Sequence, residues 1–61
     1  MNINQEIKES ENFLRKLGVS YDDVLNNKHD LIDENSDNAN WEAGRLNILR
    51  NLKEEQNERE Q

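Results

Sequence analysis

The sequence predicts an all-α domain, a small three-helix bundle. Three observations carry this. Apolar residues make up only 31% of the 61 residues, yet most recur at helical spacing in three short segments. Residues that cap helices or make turns separate the segments. Pro is absent and only two Gly interrupt the chain. The alternative architecture on the same pattern is a helical hairpin that dimerises.

The first segment is expected from about Ile3 to Leu17. Ile3, Ile7, Ser10, Phe13, Leu14 and Leu17 fall on one face at about 100° per residue. Asn2 can cap its start, with Gln5 placed to reach back as a capping-box partner. Gly18 follows Leu17 and can take the left-handed conformation that closes a helix.

The second segment is expected from about Tyr21 to Glu34. Ser20 is a good N-cap, and Asp22 and Asp23 in the first turn suit the positive end of the helix dipole. Its stripe is Tyr21, Val24, Leu25, Leu31 and Ile32, with Val19 able to staple against Val24. Asn35-Ser36-Asp37-Asn38 then reads as a loop, because such side chains hydrogen-bond to nearby backbone.

The third segment is expected from about Ala39 to Glu55, with Trp41, Ile48, Leu49 and Leu52 sharing a face. Leu14, Leu25 and Ile48 are thus the expected mid-stripe core positions. Residues 1–55 form the expected domain. Residues 56–61 carry no apolar side chain and are expected to fray as a charged tail.

Size bounds what this fold can do. A chain this short buries only about 60% of the surface its unfolded form exposes. With no Cys and one His, disulfides, thiolate metal sites and multi-histidine sites have no residues to build them. Helix packing or self-association must supply the stability. The start of the chain has no basic flank or apolar run, so no secretory signal is expected. No stretch approaches the roughly 20 apolar residues of a membrane span. A cytoplasmic protein is expected.

Fourteen acidic against eight basic residues give a net charge of -6. That balance disfavours direct binding to nucleic acid or to an anionic membrane and favours basic partners. Eleven residues are Asn. Asn, Lys, Ile and Glu codons are A/T-rich, which points to a low-GC bacterium or a phage or mobile element living in one.

Two constellations are candidate partner-binding surfaces. Asp22, Asp23, Asp30, Asp33 and Glu34 project within about a third of the circumference of the second predicted helix, opposite its apolar stripe. The plain reading is a solvated face; the sharper one is an electrostatic docking surface that imitates a phosphate array. The second constellation is Trp41 with Arg45, four residues on and in mid-stripe, and Leu46, which points off the stripe and is expected to be exposed. Trp and Arg are the types most enriched at binding hot spots. The plain reading is a core Trp with the Arg stem laid across it.

Other motifs point away from chemistry. Lys28 falls mid-stripe in the second segment, where it would snorkel between two neighbours, with Glu6 a candidate partner. Asp33 to Asn38 matches the opening of a calcium-binding EF-hand loop, but the twelfth position, which needs a bidentate Glu, is Gly44. His29 beside Asp30 and Asp33 is an ordinary surface arrangement. No serine sits in a nucleophile pattern and no glycine-rich phosphate loop exists. No cofactor, metal or enzymatic activity is expected. The expected function is that of a small acidic protein-binding regulator, such as a phage- or element-encoded inhibitor that occludes a site on a host protein. Antitoxin or immunity proteins share the profile. The other classes are a structural helical homo-oligomer and an acidic decoy for a nucleic-acid-binding protein.

Overall fold

The structure, a computed structural model, describes residues 2–59. It is an all-α bundle of α1 (Ile3–Lys16), α2 (Tyr21–Leu25) and α3 (Asp33–Arg59). Met1 and residues 60–61, the last of the expected tail, lie outside the described residues. The rest of that tail, to Arg59, continues α3, and its side chains are exposed as far as Glu58.

The first helix follows its sequence pattern. The Asn2 side chain accepts from the Gln5 backbone N–H at 3.1 Å. The Gln5 side chain does not reach back as expected; it donates along the helix to Glu9 at 3.5 Å. At the other end Gly18 takes φ +81°. Its N–H donates to the Arg15 carbonyl at 2.9 Å and that of Val19 to Leu14 at 3.1 Å. These paired bonds satisfy carbonyls the helix would leave open and turn the chain back.

The second segment is corrected most. Its helix spans five residues, not fourteen. Ser20 starts it as expected: its hydroxyl accepts from Asp23 N–H at 3.2 Å while its own N–H donates to the Asp23 carboxylate at 3.0 Å. The early end comes from Asn27, which adopts φ +54°. The Asn27 N–H donates to the Val24 carbonyl at 3.2 Å and that of Lys28 to Asp23 at 2.8 Å. This repeats the closure at Gly18, with Asn as the residue that tolerates the left-handed region. The predicted stripe of this segment is therefore broken. Val24 is buried and Tyr21 and Leu31 are half-buried, whereas Ile32 is exposed and Leu25, an expected core residue, is 61% exposed. Lys28 is exposed rather than wedged between helices. His29 turns inward locally, its Nδ1 accepting from the Leu31 N–H at 3.2 Å.

The expected loop at residues 35–38 is instead part of α3, which starts at Asp33. Asp33 enters with φ +51°, a conformation Asp tolerates better than most residues. Asp33 and Glu34 then sit at the end of the dipole that favours acids. Asn35, Asp37 and Asn38 remain solvent-facing, so helix formation costs them little hydration.

Helices α1 and α3 run in the same direction. Glu6 pairs with Arg45 and Glu11 with Arg50, each across 39 residues. A constant offset means both chains advance together, with α2 and its connections making the return. The core forms between them from Leu14, Val24, Ala39, Ala43 and Leu46, flanked by Ile7, Leu17, Val19, Tyr21 and Leu31. Ser10 is fully buried on the α1 side of this seam. Small side chains at Ser10, Ala39 and Ala43 let the two backbones approach closely. Near 1.5 Å per residue, α3 is about 40 Å long, which matches the 42 Å length of the molecule. The shorter α1 accompanies only part of it.

The inward face of α3 is Ala39, Glu42, Ala43, Leu46 and Leu49. This turns the predicted face by about a third of a turn, with Leu49 common to both. Leu46, expected to be exposed, is 0% exposed, while Ile48, an expected core residue, is 62% exposed, and Trp41, on the same predicted stripe and a candidate for partner binding, is 67% exposed. No helix among the described residues is long and apolar enough to cross a membrane.

Candidate functional site

The five acidic candidates do not share one helix face. Asp22 and Asp23 belong to α2, Asp30 to the connection, and Asp33 and Glu34 to the first turn of α3. Asp23 is committed to its capping box. The Ser20 backbone N–H, followed by the Ser20 hydroxyl, holds its carboxyl below the ordinary value of 3.8. Asp22 and Asp23 border a cleft between the three helices that also contains Glu11, Arg15, Tyr21 and Arg50. Its charges are largely spoken for. Arg50 pairs with Glu11 at 3.3 Å and stacks over the Tyr21 ring at 4.5 Å from the centroid. The Tyr21 hydroxyl donates to Asn47 Oδ1 at 3.3 Å.

Arg45 is the hub of a second polar cluster. It donates to the Ser10 hydroxyl at 2.7 Å, pairs with Glu6, and lies 3.6 Å from Glu42 one turn earlier. Glu6 was the candidate partner of Lys28 on sequence; Arg45 takes that place. Ser10 and Glu42 are buried, and Arg45 and Glu6 half-buried. Among the described residues no buried side-chain polar atom lacks a partner. A planar guanidinium with five donors suits this role, because it can serve three acceptors on two helices at once. The cluster ties α1 to α3 and sets their register. Sequence reasoning had no local signal for it, since Glu6 and Ser10 lie 39 and 35 residues away.

The outer face of α3 is different in kind. Trp41, Ile48 and Leu52, the last 37% exposed, lie along one side of the helix and turn away from the core. With Gly44 and the flank of Leu49 they line a shallow apolar groove, bordered by Arg45. One heptad beyond the Glu6–Arg45 pair, Phe13 on α1 comes level with Leu52; it too is partly exposed. The spacing of Trp41, Arg45, Ile48 and Leu52, four then three then four, is that of a helix seam that packs against another helix.

Gly44 sits in the floor of this groove, deep inside a 27-residue helix. Gly costs about 0.8–1 kcal/mol relative to Ala in such a position. Its φ is not positive, and a Cβ built there would meet nothing within 4 Å. Neither backbone geometry nor packing within the chain calls for glycine at this site.

Trp41 therefore stands on an accessible apolar face, Arg45 at its edge within the polar cluster, and Leu46 in the core. Sequence reasoning missed Gly44 as part of the site, and the signal for it was present: an interior helical Gly three residues from Trp41 and four from Ile48. Among the described residues no group of three or more His, Asp or Glu gathers to hold a metal. The groove offers apolar contact and shape, not a reacting group. No known protein family, curated protein or solved structure matches this chain.

Proposed function

We propose that this protein is a binding module that docks through the outer face of α3 onto another protein and covers a functional site there. A small acidic inhibitor of a host protein, encoded by a phage or mobile element, is the concrete form of this reading. The observation that carries it is the exposed row Trp41, Ile48 and Leu52 on a side of α3 turned away from the core. Isolated exposed apolar residues need no explanation, but a contiguous row with a clear floor is what a partner-binding surface looks like. An aromatic anchor at one end fits the usual make-up of a binding hot spot.

The acidic-decoy reading rested on a single helical face that the five acidic residues do not share. The α3 row supports apolar docking instead. The experiment compares affinity capture by the wild-type chain and by Ile48→Asp from a low-GC bacterial lysate, followed by titration of the captured protein against both. Ile48 contributes little to the core, so the variant should fold as the wild type does. Loss of the captured protein with Ile48→Asp, at unchanged circular dichroism, supports the reading. Equal capture by both moves the docking surface elsewhere.

A further inference from the structure

We infer that the outer face of α3 takes a basic amphipathic helix, seated with its backbone or a large apolar side chain against Gly44. The inference rests on the docking reading above and adds the chemistry of the occupant.

Gly44 leaves room for a close approach from outside. Glycine is, apart from proline, the costliest residue in a helix interior, and nothing within the chain uses the space its missing side chain leaves. The remaining use of a bare backbone is close approach by a binding partner. Trp41 and Ile48 stand on either side of Gly44, one turn before and one turn after, so the three form a socket. From Trp41 to Leu52 the row is about 16 Å long, the reach of roughly three turns of a second helix.

The charges around the row point to the sign of that helix. Glu34 and Asp37 precede Trp41 on this side of α3, and Glu55 follows Leu52; all three are exposed. Two cations of α3, Arg45 and Arg50, are committed. Arg45 is held by Glu6 and Glu42, and Arg50 by Glu11 and Tyr21. Lys53 is turned about a third of a turn away from the row toward α1. An apolar floor with acids at both ends complements an apolar stripe flanked by Lys or Arg. A second copy of this chain does not fit as well. Side by side in the same direction, each acid would face itself. In opposite directions Asp37 would meet Glu55. Each copy also carries a net charge of -6, so self-docking works against repulsion in both orientations.

The test titrates the full chain with two synthetic 18-residue amphipathic helices that share a Leu face and carry either Lys or Glu on the other. Emission from Trp41, the single Trp, reports occupancy of the groove. The Lys helix should bind with a blue shift and at least about tenfold more tightly than the Glu helix, since three exposed charge pairs each act weakly. Glu34→Gln, Asp37→Asn and Glu55→Gln together should erase that preference. Gly44→Leu should lose about tenfold or more in affinity while circular dichroism and melting temperature hold or rise. Equal binding of both helices would overturn the basic-partner inference and leave apolar docking standing. Unchanged Lys-helix binding by both Gly44→Leu and Ile48→Ser would overturn the inference and the choice of face together. A dimer in sedimentation that dissociates in Ile48→Ser would show that a second copy covers the face, against both. If neither helix binds a monomeric chain, the inference fails alone, and the capture comparison decides the docking reading.

Discussion

Leu46 and Ile48 are two residues apart on α3 and point to nearly opposite sides of it. The structure gives them opposite forecasts. Leu46 is 0% exposed and packs in one cluster with Leu14, Ala39 and Ala43. Truncating a buried Leu to Ala costs about 2–5 kcal/mol, more where the surroundings cannot collapse into the space. Two of the neighbours are alanines, which have no side chain to move inward, so about 3 kcal/mol or more is expected. A domain of this length has a total stability of roughly 3–9 kcal/mol. Leu46→Ala should therefore remove a third or more of it.

Ile48 is 62% exposed. Ile48→Ala gives up little burial and gains slightly in helix propensity, so its effect should stay within about 0.5 kcal/mol. Urea denaturation followed by circular dichroism at 222 nm reads both variants against the wild type. A chain this short should have a slope near the low end of the usual range, about 1 kcal/mol/M. A 3 kcal/mol loss would then shift the midpoint by about 3 M, and Leu46→Met would supply a milder substitution if no folded baseline remains. Should Ile48→Ala cost as much as Leu46→Ala, α3 would have to be rotated by about half a turn and the outer face described above would not exist.

Three further outcomes follow from local geometry. Gly18→Ala should lose about 1–2 kcal/mol in the same denaturation assay, because φ +81° is a left-handed conformation that a Cβ disfavours; no loss would mean that α1 closes differently. The folded carboxyl of Asp23 is depressed by its bonds with Ser20. Its contribution is therefore fully present above the unfolded value of about 3.9 and is lost as pH falls through the lower folded value. Wild-type melting temperature should thus drop more steeply below about pH 4 than that of Asp23→Asn, and parallel profiles would refute the capping box. Arg45→Met should destabilise the fold by about 1–3 kcal/mol, because it leaves Glu42 and Ser10 buried without their donor. Adding Glu42→Leu and Glu6→Gln should recover part of the loss, and additive losses across the three would refute the shared network.

Much of α1 is legible in the sequence. Ile3, Ile7, Ser10, Leu14 and Leu17 mark its inward stripe, Asn2 its start and Gly18 its end, although Phe13, read on the same stripe, is 39% exposed. The start of α2 at Ser20 is legible for the same local reason. Its end is not, because Asn27 closes the helix in a conformation that Asn tolerates but does not require. The loop expected at residues 35–38 failed because cap-forming side chains are also acceptable on the exposed turns of a long helix. The face of α3 was misjudged on volume. Its inner side is built from Ala39, Ala43 and Leu46, its outer side from Trp41 and Ile48, and large apolar residues read more strongly as core than small ones. Which side faces inward depends on α1, whose Leu14 packs with Ala39, Ala43 and Leu46, and that pairing is not local. The apolar residues of α3 thus serve two faces rather than one.

This division separates stability from binding in a way that bears on every mutant of the docking face. Ile48, Gly44 and Trp41 touch the groove but contribute little to the core, so changes in affinity at these positions can be read as changes at the interface. Arg45 cannot be read that way. It borders the groove, yet its guanidinium holds Glu6, Glu42 and Ser10, so removing it loosens the register of α1 against α3. A loss of affinity in an Arg45 variant would combine a lost edge contact with a loosened α1. The two contributions separate only by comparison with Glu6→Gln, which weakens the same tie between helices from α1 and leaves the Arg45 edge of the groove in place. If Glu6→Gln lowers affinity as much as Arg45→Met does, Arg45 acts on binding through the position of α1 and not through contact with the partner.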